Sequence, residues 1–292
     1  MIDIGVAMDA APCLALDIGA TKIEGALVQP DGKVLCRERY ELRELKGDLV
    51  SPICAMLQRV AGHTSVSVLG VGCAGPMTGR GHEVSPLNIP QWRDFPLRAI
   101  LTAQLGLEVF IDGDARALAL AEGFYGAARD DHSFLSMVVS TGIGGGLVMD
   151  GRLIAGVTGN AGHIGHLNVV PGGRACACGS FGCLESEASG RAIEEMTGRA
   201  PINADSVTRV RTSYLVGRAV GSLSSVLDFD HCYVAGSVAL GFGRTFFDTA
   251  NEAARGVATL PYSANIQIAP TGLGRDGPLL GAALVAWRGA PT

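Results

Sequence analysis

The 292-residue chain has no apolar run approaching the roughly 18 to 20 residues that a membrane-crossing helix needs, although 48% of its residues are hydrophobic. It also lacks an excess of positive charge. With 23 Lys and Arg against 28 Asp and Glu the net charge is -5, which offers no electrostatic footprint for nucleic acid or an anionic membrane surface. A small-molecule partner is expected, with no nucleic acid and no membrane. The start MIDIGVAMDAAP lacks a basic segment followed by a long apolar stretch, and eight cysteines are too few for a disulfide scaffold of this length. A soluble protein of a reducing, cytoplasmic compartment is therefore expected. Two further absences concern nucleotides: no Gly-Lys-Ser/Thr ending stands before a helix, and no Rossmann glycine pattern does. No long linker, low-complexity tract or short-period repeat divides the chain.

What is present is one plan used twice. CLALDIG, IEGALVQ and KVLCRERY read as three consecutive strands, with the turn PDG between the second and third. Helical and strand patterns then alternate through DLVSPICAMLQRVAG, SVSVLGVGCAG, FPLRAILTAQLG, LEVFIDG and DARALALAEGFYG. FLSMVVSTG, IGGGLVMDG and RLIAG restart the meander, and a long helical stretch, ADSVTRVRTSYLVGRAVGSLSSVLDF, leads into the strand HCYVAGS. The halves are expected to be two α/β lobes sharing a cleft.

Glycine-bearing turns occupy equivalent places in the two halves, each between the first two strands. One runs Asp17-Ile18-Gly19-Ala20-Thr21-Lys22 and the other Ser140-Thr141-Gly142-Ile143-Gly144-Gly145-Gly146. Glycine lets backbone amides approach a phosphate, Thr21 and Thr141 add hydroxyl donors, and Asp17 can hold magnesium through water. Either turn alone also reads as a tight hairpin; it is their repetition that points to a pair of loops gripping a triphosphate.

The densest signal is HLNVVPGGRACACGSFGCLE, in which His166, Cys176, Cys178 and Cys183 stand among glycines. Three thiolates and an imidazole suit tetrahedral zinc, and four protein donors leave no open position for water, so the predicted zinc is structural. Gly179 and Gly182 supply the turns that return the third sulfur to the first two. Cys13, Cys36, Cys54, Cys73 and Cys232 are scattered, mostly within apolar runs, and read as small core residues.

Taken in order, DIGATK, STGIGGG, GNAGHIGH, CACGSFGCLE and VAGSV resemble the ROK family of sugar kinases and related repressors over almost the whole chain. The resemblance implies an actin-like ATPase (ribonuclease H-like) α/β fold, with two lobes around a nucleotide cleft and the zinc knot at 166–183. The lobes are expected at 1–113 plus 275–292 and at 114–274, the C-terminal helix crossing back to the first. ATP and Mg2+ would occupy the cleft, and the γ-phosphate would pass to the 6-hydroxyl of a hexose or N-acetylhexosamine. By the same resemblance Asp114 is the catalytic base, Gly236 and Ser237 lie beside the adenosine, and the protein is a homodimer. Asp114 also follows the strand LEVFID and opens the helix DARALALAEG, where a carboxylate serves equally as a helix cap; Asp112 is its nearest rival.

The sugar contacts depart from the commonest family pattern. Gly113 stands where glucokinase-like members carry asparagine, and His163 where they carry glutamate and N-acetylmannosamine kinases carry histidine. This tilts the expected substrate toward N-acetylmannosamine, with glucokinase-like or broad hexose kinase activity as the alternative. Asn160, beside His163 in the run Gly159–His166, and Glu185, which also reads as a helix-opening carboxylate, are further candidates. So are Gly75 of the loop Gly75-Pro76-Met77 and Asn88 in SPLNIPQW, the latter equally a turn former. Trp92 reads better as a core residue than as a sugar platform. Two readings from other classes remain: a sugar-binding sensor without catalysis, kept open by Gly113 and by the serine of VAGSV, and a repressor. The twelve residues before Cys13 are expected to be too few for the repressor's helix-turn-helix.

Overall fold

The computed structural model describes residues 10–45 and 47–289, so the expectation placed on MIDIGVAMDAAP falls largely outside the described residues. The chain opens with β1 (Cys13–Ile18), β2 (Lys22–Val28) and β3 (Val34–Glu41). Next come α1 (Val50–Ala61), β4 (Val68–Cys73), the small hairpin β5 (Met77–Thr78) and β6 (Glu83–Val84), α2 (Leu97–Leu105), β7 (Glu108–Gly113) and α3 (Asp114–Phe124). The second series holds β8 (Phe134–Val139), β9 (Ile143–Met149), β10 (Arg152–Leu153), α4 (Leu184–Ala188), α5 (Gly190–Thr197) and α6 (Ser206–Leu227). It continues with β11 (His231–Ala235), α7 (Ser237–Phe242), α8 (Arg244–Arg255) and β12 (Gln267–Pro270), and the chain closes with α9 (Gly277–Arg288).

Two compact units result. One takes the chain through Tyr125, Ala155–Ala161 and the segment from Leu273; the other takes Gly126–Ile154 and Gly162–Gly272. The first has a sheet ordered β3-β2-β1-β4-β7, the second a sheet ordered β10-β9-β8-β11-β12. In each, an antiparallel meander continues into two parallel strands, so the topology is duplicated. Each unit buries its own apolar cluster: Leu16, Ile53, Leu69 and Leu97 contribute to the first, and Leu135, Val216, Phe246 and Ile268 to the second.

Local chemistry explains several boundaries. β1 and β4 are covered on both faces, which is why CLALDI and VLGVGC are continuous rather than alternating apolar runs. Asp205 accepts the amide of Thr208 at 2.8 Å and starts α6. Gly70 of β4 lies so close to α9 that an added Cβ would overlap the Ala282 carbonyl, so helix and sheet meet backbone to backbone. As expected, α9 packs on the first unit.

Some expectations are corrected. α3 packs against α9 within the first unit, so the division follows Tyr125 rather than residue 113. Glu185 lies in the first turn of α4, and Ser189 accepts the Ala192 amide at 3.1 Å to cap α5. Cys36 is exposed rather than buried, because β3 is a half-exposed sheet edge. Trp92 is buried and stacks on Phe95 with ring centroids 4.8 Å apart, a core role. No helix among the described residues is long and apolar enough to cross a membrane.

Gly70→Val should lower the unfolding free energy by about 3 kcal/mol through overpacking against α9. Urea unfolding checks this; an unchanged midpoint would mean that α9 yields freely from β4.

Candidate active-site groups and a candidate metal centre

Within the first unit, chemistry gathers where β1, β4 and β7 run parallel and end together. The register sets Asp17 beside Gly72, and Gly72 beside Asp112. Asp114 follows two residues after Asp112, as the first residue of α3, with its Oδ1 accepting the Ala115 amide at 2.7 Å. A Cβ at Gly72 would lie 3.5 Å from the Asp114 Cα and 3.8 Å from Asp17 Oδ1, so the glycine leaves the space between the two acids open.

The electrostatics of this corner follow from dryness. Asp17 is buried, and desolvation, reinforced by the Asp114 charge and partly offset by Lys22, pushes its carboxyl up to about 7. The Cys73 thiol beside them is raised well above its ordinary value by burial and by both acids, so it remains a thiol. Asp112, the rival base, is held by Arg116: Nε lies 2.6 Å from Oδ1 and Nη2 3.2 Å from Oδ2. That fork holds Asp112 in a two-bond ion pair with Arg116.

The first glycine turn is closed by the Gly19 amide donating to the Lys22 carbonyl at 3.0 Å, leaving Thr21 exposed. Asn88, expected at the sugar, donates its Nδ2 to the Gly19 carbonyl at 3.1 Å and so steadies this turn. Lys22 is ion-paired with buried Glu24 at 2.7 Å, and Glu24 also meets Arg37, which in turn binds Asp276. Gly75 precedes Pro76 across a cis peptide bond. Asn160 accepts the Met77 amide at 2.9 Å and donates to the Met77 carbonyl at 2.8 Å, so its carboxamide pins the Gly75-Pro76-Met77 loop.

In the second unit the turn Ser140–Gly142 joins β8 to β9, with the Ser140 amide donating to the Gly142 carbonyl at 2.9 Å and Thr141 exposed. Gly144 continues the turn into β9 opposite Val138. Ser237, which follows Gly236 and opens α7, has its hydroxyl 3.0 Å from that of Ser140. Glu185 does not stand apart from the loop: its Oε2 accepts the Ile143 amide at 2.8 Å. His163 is exposed, and its ring stacks with the metal-cluster histidine His166 at a centroid distance of 6.0 Å.

His166, Cys176, Cys178 and Cys183 bring their donor atoms within 4.8 Å of one another. His166 Nδ1 is 3.6 Å from the Cys176 sulfur, and the sulfurs of Cys178 and Cys183 are 3.7 Å apart. Metal–sulfur bonds of about 2.3 Å and metal–nitrogen bonds of about 2.0 Å give tetrahedral edges of about 3.8 and about 3.6 Å, so the set fits one small cation. Positive φ at Gly179 and Gly182 makes the returning turn. Without a cation, burial and the neighbouring sulfurs push the Cys183 thiol up to about 12, whereas the Ser180 amide holds the Cys178 thiol below its ordinary value.

Sequence reasoning missed two supporting groups. Arg116 could have been found from its i,i+4 spacing to Asp112. Glu187, buried, accepts the Arg174 amide of the knot at 2.7 Å and pairs with Arg211 of α6, a long-range contact with no local pattern.

Comparison with known proteins places the chain in a family. The ROK family model matches residues 13–288, and the chain belongs to the ROK family. It is 32% identical to an N-acetylmannosamine kinase of Citrobacter koseri, over 94% of this chain and 98% of that protein. It is 34% identical to a glucokinase of Thermotoga maritima, over 62% of this chain and 58% of that protein. Among solved structures it is similar to a ROK glucokinase from Streptomyces griseus in complex with glucose and AMPPNP, with a TM-score of 0.84 and 27% identity, covering 94% of this chain and 99% of that one. These curated relatives are named as sugar kinases, phosphotransferases with an alcohol group as acceptor, and the duplicated topology is the actin-like ATPase fold of such neighbours.

Since the Asp17 carboxyl sits near 7 in the folded protein against an ordinary 3.8, the folded state holds its proton more tightly than the unfolded one. The stability this gives is fully present below about pH 4 and is lost as pH rises through about 7. Without divalent cations the melting temperature should fall between about pH 4 and 7, and Asp17→Asn should flatten that slope. Parallel profiles for the two proteins would contradict the assignment.

Proposed function

We propose that this protein is an ATP- and Mg2+-dependent sugar kinase that transfers the γ-phosphoryl group to the 6-hydroxyl of a hexose or N-acetylhexosamine, with N-acetylmannosamine the favoured acceptor. The observation that carries this reading is the pairing of Asp114 with buried Asp17 beside a glycine turn, two acids in a corner whose charge calls for a cation. In this reading Asp114 accepts the hydroxyl proton as the sugar oxygen bonds to the γ-phosphorus and the bond to the bridging oxygen breaks, releasing ADP. Mg2+ when bound would supply positive charge that neutralises what develops on the transferring phosphoryl group. Asp17 would hold the ion through water, and the glycine turns at Gly19 and at Gly142 and Gly144, with the hydroxyls of Thr21 and Thr141, would orient the phosphates. Gly236 and Ser237 would lie by the adenosine.

The favoured sugar is supported by His163 and by the near full-length similarity to the Citrobacter koseri kinase. Glucokinase activity is the second reading, favoured by the likeness to the Streptomyces griseus structure with glucose. In both, Asn88 and Asn160 would act by holding the Gly19 and Met77 backbones. We further propose that the metal is Zn2+ with a structural role, because three thiolates and an imidazole leave no ligand position for substrate, and that the protein works as a cytoplasmic homodimer.

Asp114→Asn is expected to keep the fold and nucleotide affinity while lowering kcat by about 10²- to 10⁴-fold, as loss of a general base does. Coupled ADP-release assays across N-acetylmannosamine, glucose, mannose and N-acetylglucosamine test the acceptor. Preference for N-acetylmannosamine supports the reading, preference for glucose replaces the acceptor, and silence on every sugar in the wild type favours a sensor.

A further inference from the structure

The metal cluster and the second glycine turn meet at one residue, Ile143. Its amide donates to Glu185 Oε2 at 2.8 Å, and Glu185 stands two residues after the metal ligand Cys183. Its carbonyl packs against Gly165, so closely that an added Cβ would overlap it, and Gly165 directly precedes the ligand His166. The two segments that touch Ile143 therefore each carry an end of the Cys/His cluster. They are also tied to each other, for the Leu184 amide donates to the Leu167 carbonyl at 2.8 Å and Asn168 pairs with Cys183 in an isolated bridge.

The same short segment continues to hold the turn. After α4 ends at Ser189, the Gly190 amide donates to the Ser140 carbonyl at 2.7 Å and the Arg191 amide to that of Thr141 at 3.1 Å. A Cβ on Gly142 would lie 2.8 Å from Glu185 Oε2, so the carboxylate fills the space under the turn. From below, Glu187 fastens the helix to Arg211 of α6 and to the Arg174 amide of the knot. α4 is thus anchored at its start by a metal ligand and along its length by two carboxylates facing different partners.

We propose that Glu185 is a positioning residue that clamps the Ser140–Gly142 turn, and that the metal cluster sets the strength of this clamp by tying the His166 segment to the Cys183 segment across Ile143. This deepens the kinase reading, on which it rests where it takes the turn to hold nucleotide phosphates. Glu185 would then act on the turn even with no sugar present, because its acceptor atom is already committed to a backbone amide.

Hydrogen exchange followed by mass spectrometry over residues 139–146 reads the clamp directly, in the full-length protein with metal content measured. A hydrogen bond to a charged acceptor is worth enough that Glu185→Ala should speed exchange of the Ile143 region by about tenfold or more. Glu185→Gln keeps an oxygen acceptor and should stay within about threefold of wild type. Stripping the metal from the wild type by chelation should loosen the same peptide, which keeps the test decisive if Glu185→Ala does not fold. In the absence of sugar, Glu185→Ala should weaken binding of a non-hydrolysable ATP analogue about tenfold, again by loss of that charged hydrogen bond. Unchanged protection in folded Glu185→Ala, or unchanged protection after verified metal loss, would overturn the proposal. Loss of protection in a protein whose wild type binds no nucleotide would leave the clamp standing and sink the kinase reading instead.

Discussion

A buried carboxyl and a half-buried one repel each other, and folding the first unit commits Asp17 and Asp114 to that arrangement. The parallel run of β1, β4 and β7 fixes where they stand, and Gly72 between them keeps the space open. Burial of Asp17 raises its carboxyl to about 7, and the charge of Asp114 adds to the rise. Much of the surrounding polar structure reads as management of this charge. Arg116 forks onto Asp112, while Lys22 offsets part of the field although it is tied to Glu24. A bound cation would relieve what remains, and the proposed phosphotransfer needs a cation at such a place.

The second unit repeats the sheet plan for a different task. Its glycine turn has no acid at the position matching Asp17; instead it is surrounded by hydroxyls and backbone amides, with Ser140 against Ser237 and Ile143 donating to Glu185. The same connection between the first two strands thus supports a corner with two acids in one unit and a turn lined by hydroxyls and amides in the other. The Cys/His cluster belongs to the second unit alone, where it braces the segments flanking that turn.

How much of this was legible depended on whether the signal was local. The doubled meander could be read because strand periodicity and turns are written in adjacent residues, and the Cys/His set because its ligands are close in sequence. α7, α8 and β12 escaped: glycines interrupt the first, charge dominates the second, and QIAP is too short and proline-bearing to announce a strand. The side of the boundary on which α3 falls was set by its packing on α9, more than a hundred residues away, which no local pattern encodes. The same holds for the side-chain partners. Asn88, Asn160 and Glu185 all look like free sugar contacts in sequence, and all three are engaged with backbone groups of glycine-bearing turns or of the loop after Gly75. Asn and Glu have the donors and acceptors for either task, and only the fold decides which backbone groups come within reach.

The most direct measurement of the central claim is proton release on binding Mg2+ and ADP near pH 6.5, by calorimetry in buffers of different ionisation enthalpy, comparing wild type with Asp17→Asn. If a cation is what the acid pair awaits, the wild type should release a substantial fraction of a proton more than the variant, because the Asp17 carboxyl is still largely protonated before binding. Equal proton counts for the two proteins would mean that Asp17 is not discharged by the cation, and the account of this corner as its seat would be wrong.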